Sequence, residues 1–557
     1  MSLTLIAFLV LVLFGLGYAG YSRLLARQLD LNDANPTPAC TLTDGVDFVP
    51  AKAPFLMGQH FSAIAAAGPI VGPILAGLAY GWLPTLAWIV LGAIFIGAVH
   101  DFSSLVGSVR HRANSVAHIV QEYIGQRAYV LFLSFIWLSL VYVITAFADL
   151  TSTSFAEPNF GGGVATSSIL YILLAILMGV CMVRFKMPLK AATLLFIPLV
   201  AVAIWVGQKI PIQMPVIAGI RPVLIWDAVL LTYCFLASIL PVWILLQPRG
   251  YLGGVFLYTA LAAGLIGLTL GGVRVHYPAF IGFTSGSSMP LFPMLFVTVA
   301  CGACSGFHGL VSSGTTSKQV AKEADCRLIG YGAMLLEGLV ALIALATVMM
   351  LAPGDSGTKL PPDRIYAQGL ASFVQQFGIP YPLAMSFVLL AFATFIFDTL
   401  DVATRLGRYI LEELLGWKGS WGRVGATLLT LALPAWCVTV TLTDPSGKVM
   451  PAWRVFWTVF GTSNQLLAAL TLLGLTTWLR KSGKPWGFAA VPCAFMMVVT
   501  LWALWILLKG WALRLQSGGP LFDPVAVASI LLLGLALSLL VEGFKVLKAP
   551  ASSISSR

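Results

Sequence analysis

Fifteen long apolar runs dominate the sequence, and a chain built this way has few structural options. Their approximate limits are 3–22, 58–80, 83–107, 128–149, 167–184, 189–208, 225–246, 252–272, 290–312, 328–351, 383–403, 423–442, 453–478, 488–508 and 523–544. Most match the roughly 20 residues that a helix needs to cross a bilayer. Inside the hydrocarbon a backbone must satisfy its own hydrogen bonds, which leaves helices and closed barrels. Barrel strands alternate apolar and polar residues. These runs are continuous, so the predicted fold class is an all-α polytopic membrane protein with about 15 transmembrane helices. Only 10% of the residues are charged and 59% are apolar, against about 25% charged in a soluble domain. A soluble enzyme, a disordered chain and a single-pass receptor are excluded.

The net charge of +11 fits basic cytoplasmic loops better than nucleic-acid binding. Of the 32 Lys and Arg residues, 23 fall in alternate loops beginning after the first run, and 9 in the others. This asymmetry predicts an external N-terminus and a cytoplasmic C-terminus. The 352–382 segment and the 443–452 loop are then external, and the basic 108–127 segment is cytoplasmic. No basic region precedes the first run and no clear small-residue cleavage pattern follows it. It reads as a retained span rather than a signal peptide. The eight cysteines are scattered and form no disulfide framework.

Helix breakers mark the runs that matter most. The second run contains Gly68-Pro69 and Gly72-Pro73 in its middle. Each proline removes an amide donor and disfavours helix just before it. A discontinuous helix is predicted, with free amides suited to a carboxylate and free carbonyls suited to a cation. The seventh run contains Pro241. Broken helices at corresponding places in two inverted units point to a secondary transporter of the LeuT type. The expected core is therefore a 5+5 inverted repeat, 58–208 and 225–410. A first helix with its loop (1–57) and a final block (411–557) would be peripheral.

The ninth run, ACGACSGFHGLVSSGTTSKQ, is rich in small and hydroxyl residues. Ser312 and Ser313 could complete a cation site with carbonyls of the second run. Cys301, Cys304 and His308 are spaced to share one helix face, which would allow a soft metal such as zinc; packing is the competing reading.

Four segments carry a resemblance: GQHFSAIAAAGPIVGP, CGACSGFHGLVSSGTTSKQ, DTLDVATRLGRYI and FGTSNQLLAA. Together, and in this order, they resemble the carbon starvation protein A family over nearly the whole chain. The resemblance implies an inner-membrane transporter of the LeuT-like amino acid–polyamine–organocation group, carrying peptides or co-transporting pyruvate and protons. Two positions depart from the family pattern: Gln59 replaces an expected histidine, and Cys304 an expected small aliphatic residue.

Ionisable residues within spans are functional candidates by default. His60 and His308 could carry a proton or bind a carboxylate. The substrate-binding candidates are Gln59, His60, Gly68, Gly72, Ser305 and His308. The ion-coupling candidates are Ser312, Ser313, Glu337, Asp398 and Asp401. Asp398 and Asp401 share a face with Arg405 four residues on, which reads as a salt-bridged gate or as a cation site. Asp101 and Arg110 read as interfacial structure, and Asn464 and Gln465 as helix-packing amides outside the core. There is no Walker A motif, no G-x-S-x-G elbow, no H-E-x-x-H and no selectivity-filter sequence.

These features lead to an expected function. The chain would import a small carboxylate, with pyruvate the first choice, coupled to protons or sodium. Short peptides are the alternative substrate, and a pyruvate-binding membrane sensor the alternative class. The lipid bilayer is the expected partner, with no nucleic acid and no resident cofactor unless zinc binds.

Overall fold

The computed structural model describes residues 2–44, 48–217, 219–241, 243–286, 289–440, 442–443, 449–518 and 521–548. Residues 444–448 of the predicted 443–452 loop lie outside this set, as does the C-terminal 549–557. The chain begins with α1 (Leu3–Gln28), then α2 (Ala53–Ile64), α3 (Gly68–Tyr80), α4 (Trp82–Arg110) and the short α5 (Val116–Tyr123). Next come α6 (Gln126–Phe155), α7 (Gly161–Arg184), α8 (Leu189–Lys209), α9 (Pro222–Ile239) and α10 (Leu246–Leu270). They are followed by α11 (Leu291–Thr298), α12 (Gly306–Gly314), α13 (Arg327–Met349), the short α14 (Pro362–Gln375) and α15 (Tyr381–Leu415). The last four helices are α16 (Gly419–Thr439), α17 (Ala452–Lys481), α18 (Gly487–Gln516) and α19 (Pro524–Lys548).

Among the described residues, thirteen helices are long and apolar enough to cross a membrane, and the bent pair α2–α3 adds a fourteenth crossing. The pair α11–α12 fills the ninth predicted run. Every one of the fifteen runs therefore carries helix, and the chain is an all-α polytopic membrane protein.

Burial separates core from periphery. The apolar stretches of α13, α15 and α17 are 94%, 89% and 94% buried, whereas those of α1 and α8 are 33% and 28% buried. Helices hidden on all sides form the centre, and helices with one open apolar face meet lipid.

Two spans are broken. The α2–α3 pair bends by 50° at residues 65–67. Ala65 leaves the helix at ψ 92°, and Gly68-Pro69 opens α3, with Pro69 in the first turn, where its missing amide is harmless. Pro73 lies inside α3. The second break is longer. It separates α11 from α12 across residues 299–305, which contain no proline.

The two breaks pack against each other, and glycine is what allows it. A Cβ on Gly72 would lie 2.5 Å from the Thr298 carbonyl oxygen, and one on Gly68 would collide with Cys301. Gly68 and Gly72, expected to present amides to a substrate, are thus used for the close approach of two backbones.

The break expected at Pro241 is absent. α9 ends at Ile239, and Leu240 turns extended, at ψ 147°, as a residue before proline tends to do. Pro241 sits in the turn before α10, so it punctuates two spans and interrupts neither.

Candidate functional site

The centre of the molecule holds a buried row of ionisable side chains beside the two breaks. His308 on α12 lies between two acids from different helices. Its Nδ1 is 2.8 Å from Asp101 on α4, and its Nε2 is 3.0 Å from Glu337 on α13. The second oxygen of Asp101 is 2.7 Å from Nδ1 of His100. All four side chains are fully buried. The His308–Glu337 approach is close but poorly aligned, and neither Glu337 oxygen has a directed hydrogen bond.

His60 on α2 completes the group. Its Nδ1 is 2.9 Å from the Thr316 hydroxyl, its Nε2 has no hydrogen-bond partner, and Asp101 and His308 are the charged groups acting on it. The cluster joins both broken spans to α4 and α13. An isolated charge here would cost several kcal/mol. Opposed acids bridged by imidazoles lower that cost and can exchange a proton without leaving a bare charge.

Side chains from other helices hold the second break open. Gln465 on α17 donates to the Phe296 carbonyl at 2.6 Å, and Trp88 on α4 donates to the Val299 carbonyl at 3.0 Å. On the other half, Asn464 accepts from the Phe307 amide at 3.0 Å and exchanges hydrogen bonds with Ser305. These groups replace the partners that a continuous helix would supply. Asn464 and Gln465 do pack helices, but they do so in the core rather than outside it. Ser305, expected at the substrate, serves the same joint.

A second buried cluster lies nearby. Arg249 on α10 is 2.5 Å from Asp398 and 2.6 Å from Asp401, both on α15. The Tyr233 hydroxyl on α9 donates to Asp401 at 2.9 Å, and Ser62 on α2 donates to Asp398 at 3.0 Å. The cation that these carboxylates hold is the chain's own guanidinium. The pairing expected with Arg405 does not form. Arg405 instead donates to the Ala237 and Leu240 carbonyls at 2.7 and 2.8 Å, closing the C-terminal end of α9.

The remaining candidates divide. The Ser312 hydroxyl is buried without a hydrogen-bond partner, whereas Ser313 bonds back to the Gly309 carbonyl at 2.7 Å. Gln59 is half-buried beside His60, with its side-chain oxygen unpartnered. Cys301 and Cys304 fall within the break, so helical spacing no longer aligns them with His308. Among the described residues, no three His, Cys, Asp or Glu side chains form a group that could hold a metal. Zinc therefore lacks a ligand set there.

Sequence reasoning placed Asp101 at an interface, passed over His100 and Tyr233, and counted Arg249 as a loop charge. Asp101 and His100 lie within the third apolar run, 83–107, which was the available signal.

The sequence model of the family described as carbon starvation protein CstA matches residues 1–359 and 355–503. A Helicobacter pylori protein named peptide transporter CstA is 33% identical, over 88% of this chain and 80% of its own. The Escherichia coli pyruvate/proton symporter BtsT is 30% identical, over 87% of this chain and 79% of its own. The Bacillus subtilis peptide transporter CstA is 30% identical, over 89% of each chain. With family model and relatives both extending over most of its length, the chain belongs to the carbon starvation protein CstA family.

Proposed function

We propose that this protein is a proton-coupled secondary transporter that imports a small organic carboxylate, pyruvate being the first candidate, across a bacterial-type inner membrane by alternating access. The observation that carries this reading is His308, fully buried at 2.8 and 3.0 Å from two acids on different helices, beside two abutting helix breaks. A proton gained or lost there changes the attraction among α4, α12 and α13. Helix breaks are natural places for such a change to become motion.

The order of the elements supports an inverted-repeat core with revised limits. One unit would be α2–α3, α4, α6, α9 and α10. The other would be α11–α12, α13, α15, α16 and α17. Each begins with a broken span, and each carries one short helix, α5 or α14, after its second span. The hairpin α7–α8 and the helices α1, α18 and α19 would lie outside. The basic-loop asymmetry supports an external N-terminus and a cytoplasmic C-terminus.

Proton coupling is favoured over sodium because Arg249 already occupies the Asp398–Asp401 carboxylates. The comparison with BtsT supports pyruvate. The peptide reading has its own support in Asp227 on α9, only 1% exposed and with both oxygens lacking hydrogen-bond partners. Such an acid could receive a peptide's free amine.

Labelled pyruvate uptake into proteoliposomes under a proton gradient, with His308→Gln as the variant, tests the proposal. Uptake should fall at least tenfold in the variant while pyruvate exchange at equal pH persists. Unchanged driven uptake removes His308 from the coupling. Inhibition by di- and tripeptides, with no transport of pyruvate itself, selects the peptide reading.

A further inference from the structure

One strip of the α4–α12 interface is polar in a setting where polarity is costly. On α4 it consists of Asp101, Ser104 and Ser108, and on α12 and its C-cap of His308, Ser312 and Thr315. Both sets have i, i+3 or i+4, i+7 spacing, which places each on one helix face. The faces look at each other. Asp101 meets His308 at 2.8 Å, and a Cβ on Gly309 would lie 3.1 Å from His100 Nε2 and 3.4 Å from Ser104 Oγ. Ser108 Oγ lies 3.4 Å from the Ser313 carbonyl. Ser312 lies on the helical wheel between His308 and Gly309, both of which point at α4.

Two hydroxyls in this strip behave unusually. Hydroxyls in the spans of this protein commonly bond back to the carbonyl four residues earlier, as Thr145, Thr151, Thr404, Thr430 and Thr477 do. That habit satisfies a hydroxyl in an apolar setting. Ser104 and Ser312 do not follow it. Both are fully buried, and neither hydroxyl has a hydrogen-bond partner. His100 Nε2, at the same level, is also buried and unpartnered. Unpaired buried polar groups are uncommon and call for a reason.

The strip leads from the buried charges to the surface. Ser108 Oγ donates to the Asn114 carbonyl at 2.7 Å, and Asn114 is exposed, as is Thr315 beyond the end of α12. Successive positions along each face are about one helical turn apart, about 5.4 Å. That is about twice the 2.7 Å of an O–H···O hydrogen bond, so one water per turn would link neighbouring hydroxyls.

The geometry points to a proton relay along the α4–α12 face, in which Ser104 and Ser312 connect the Asp101–His308 pair to the surface at Asn114 and Thr315. It deepens the proton-coupled reading above and rests on it for its purpose, though not for its existence. Each hydroxyl or bridging water accepts a proton on one side and releases its own on the other, the last one to bulk water beside Asn114 and Thr315, so nothing is consumed. The titratable groups facing His308 are Asp101 from α4 and Glu337 from α13, with His100 behind Asp101 and His60 across from α2. The cytoplasmic loops are the proposed destination, making this the inner proton exit.

The test needs no substrate. In protein labelled with 15N-histidine, deuterium exchange at the His308 ring N–H is followed after dilution into D2O. The Ser104→Ala/Ser312→Ala double variant should slow that exchange at least tenfold, and Ser104→Thr/Ser312→Thr should restore it. Unchanged exchange in the alanine variant overturns the relay, as does slow exchange that persists in the threonine variant. Pyruvate exchange by the unmodified protein is measured in parallel. Its absence counts against the transport reading and leaves the relay to the deuterium result.

Discussion

Arg249 is a single side chain on which two carboxylates, a tyrosine and, through Asp398, the first broken span depend. Removing one partner of a buried ion pair strands the other, at a typical cost of about 4 kcal/mol. Arg249→Met should therefore lower stability by about that amount, read as a fall in melting temperature in detergent. Adding Asp398→Asn and Asp401→Asn should recover most of the loss, because no bare charge then remains. A melting temperature unmoved by Arg249→Met would contradict the pairing. The residue was illegible in the sequence for a physical reason. It sits between Pro248 and Gly250, where a loop is the natural reading, and its partner Asp398 is 149 positions away. His308, Glu337 and His60 were legible because a titratable group inside an apolar run is conspicuous alone. Their arrangement was not, since it depends on which helices become neighbours.

At the scale of elements, the two breaks show which local signals can be trusted. Gly-Pro pairs opened the second run as expected. Pro241 did not open the seventh, because a proline near the end of a run ends it. The ninth run opened at residues 299–305, a stretch without proline, because Gln465, Trp88 and Asn464 supply from outside the partners its backbone lacks. No pattern within that run could reveal them. The fit between the breaks gives a direct prediction. Gly68→Ala should destabilise by about 2 kcal/mol, and Cys301→Gly on the same chain should restore stability by removing the atoms it strikes. No recovery in the double variant would show that the contact is not what limits position 68.

The described residues 30–44 and 48–51, a strap between α1 and α2, give a further prediction. Its latch is Glu323, 2.6 Å from Arg110 and accepting from the Asn32 amide at 2.8 Å. Burial raises the Glu323 pKa, but Arg110 and the Asn32 amide outweigh it and leave the carboxyl below its ordinary value. An acid with a lowered pKa stabilises the fold above its unfolded value, about 4.3, and loses that contribution as pH falls through its folded value. Protease cleavage within the strap should stay slow at neutral pH and rise below about pH 4. Glu323→Gln should raise it already at neutral pH. Equal cleavage of both proteins at neutral pH would contradict the latch.

For the whole molecule, composition and run length were sufficient to anticipate a many-helix membrane protein, because the bilayer allows so few alternatives. The pairing of helices into units was harder to read. In the proposed units the α7–α8 hairpin lies outside the repeats, which puts the second broken span in the ninth run rather than the seventh, a change that span counting cannot detect. In the proposed function, a proton taken up at His308 drives carboxylate import through a core hinged at two facing breaks. The most direct measurement is uptake of labelled pyruvate by proteoliposomes, with an inward proton gradient and an inward sodium gradient imposed separately. Accumulation above empty liposomes is expected under the proton gradient, with no acceleration by sodium. Acceleration by sodium alone, or no uptake by folded protein under either gradient, would contradict it.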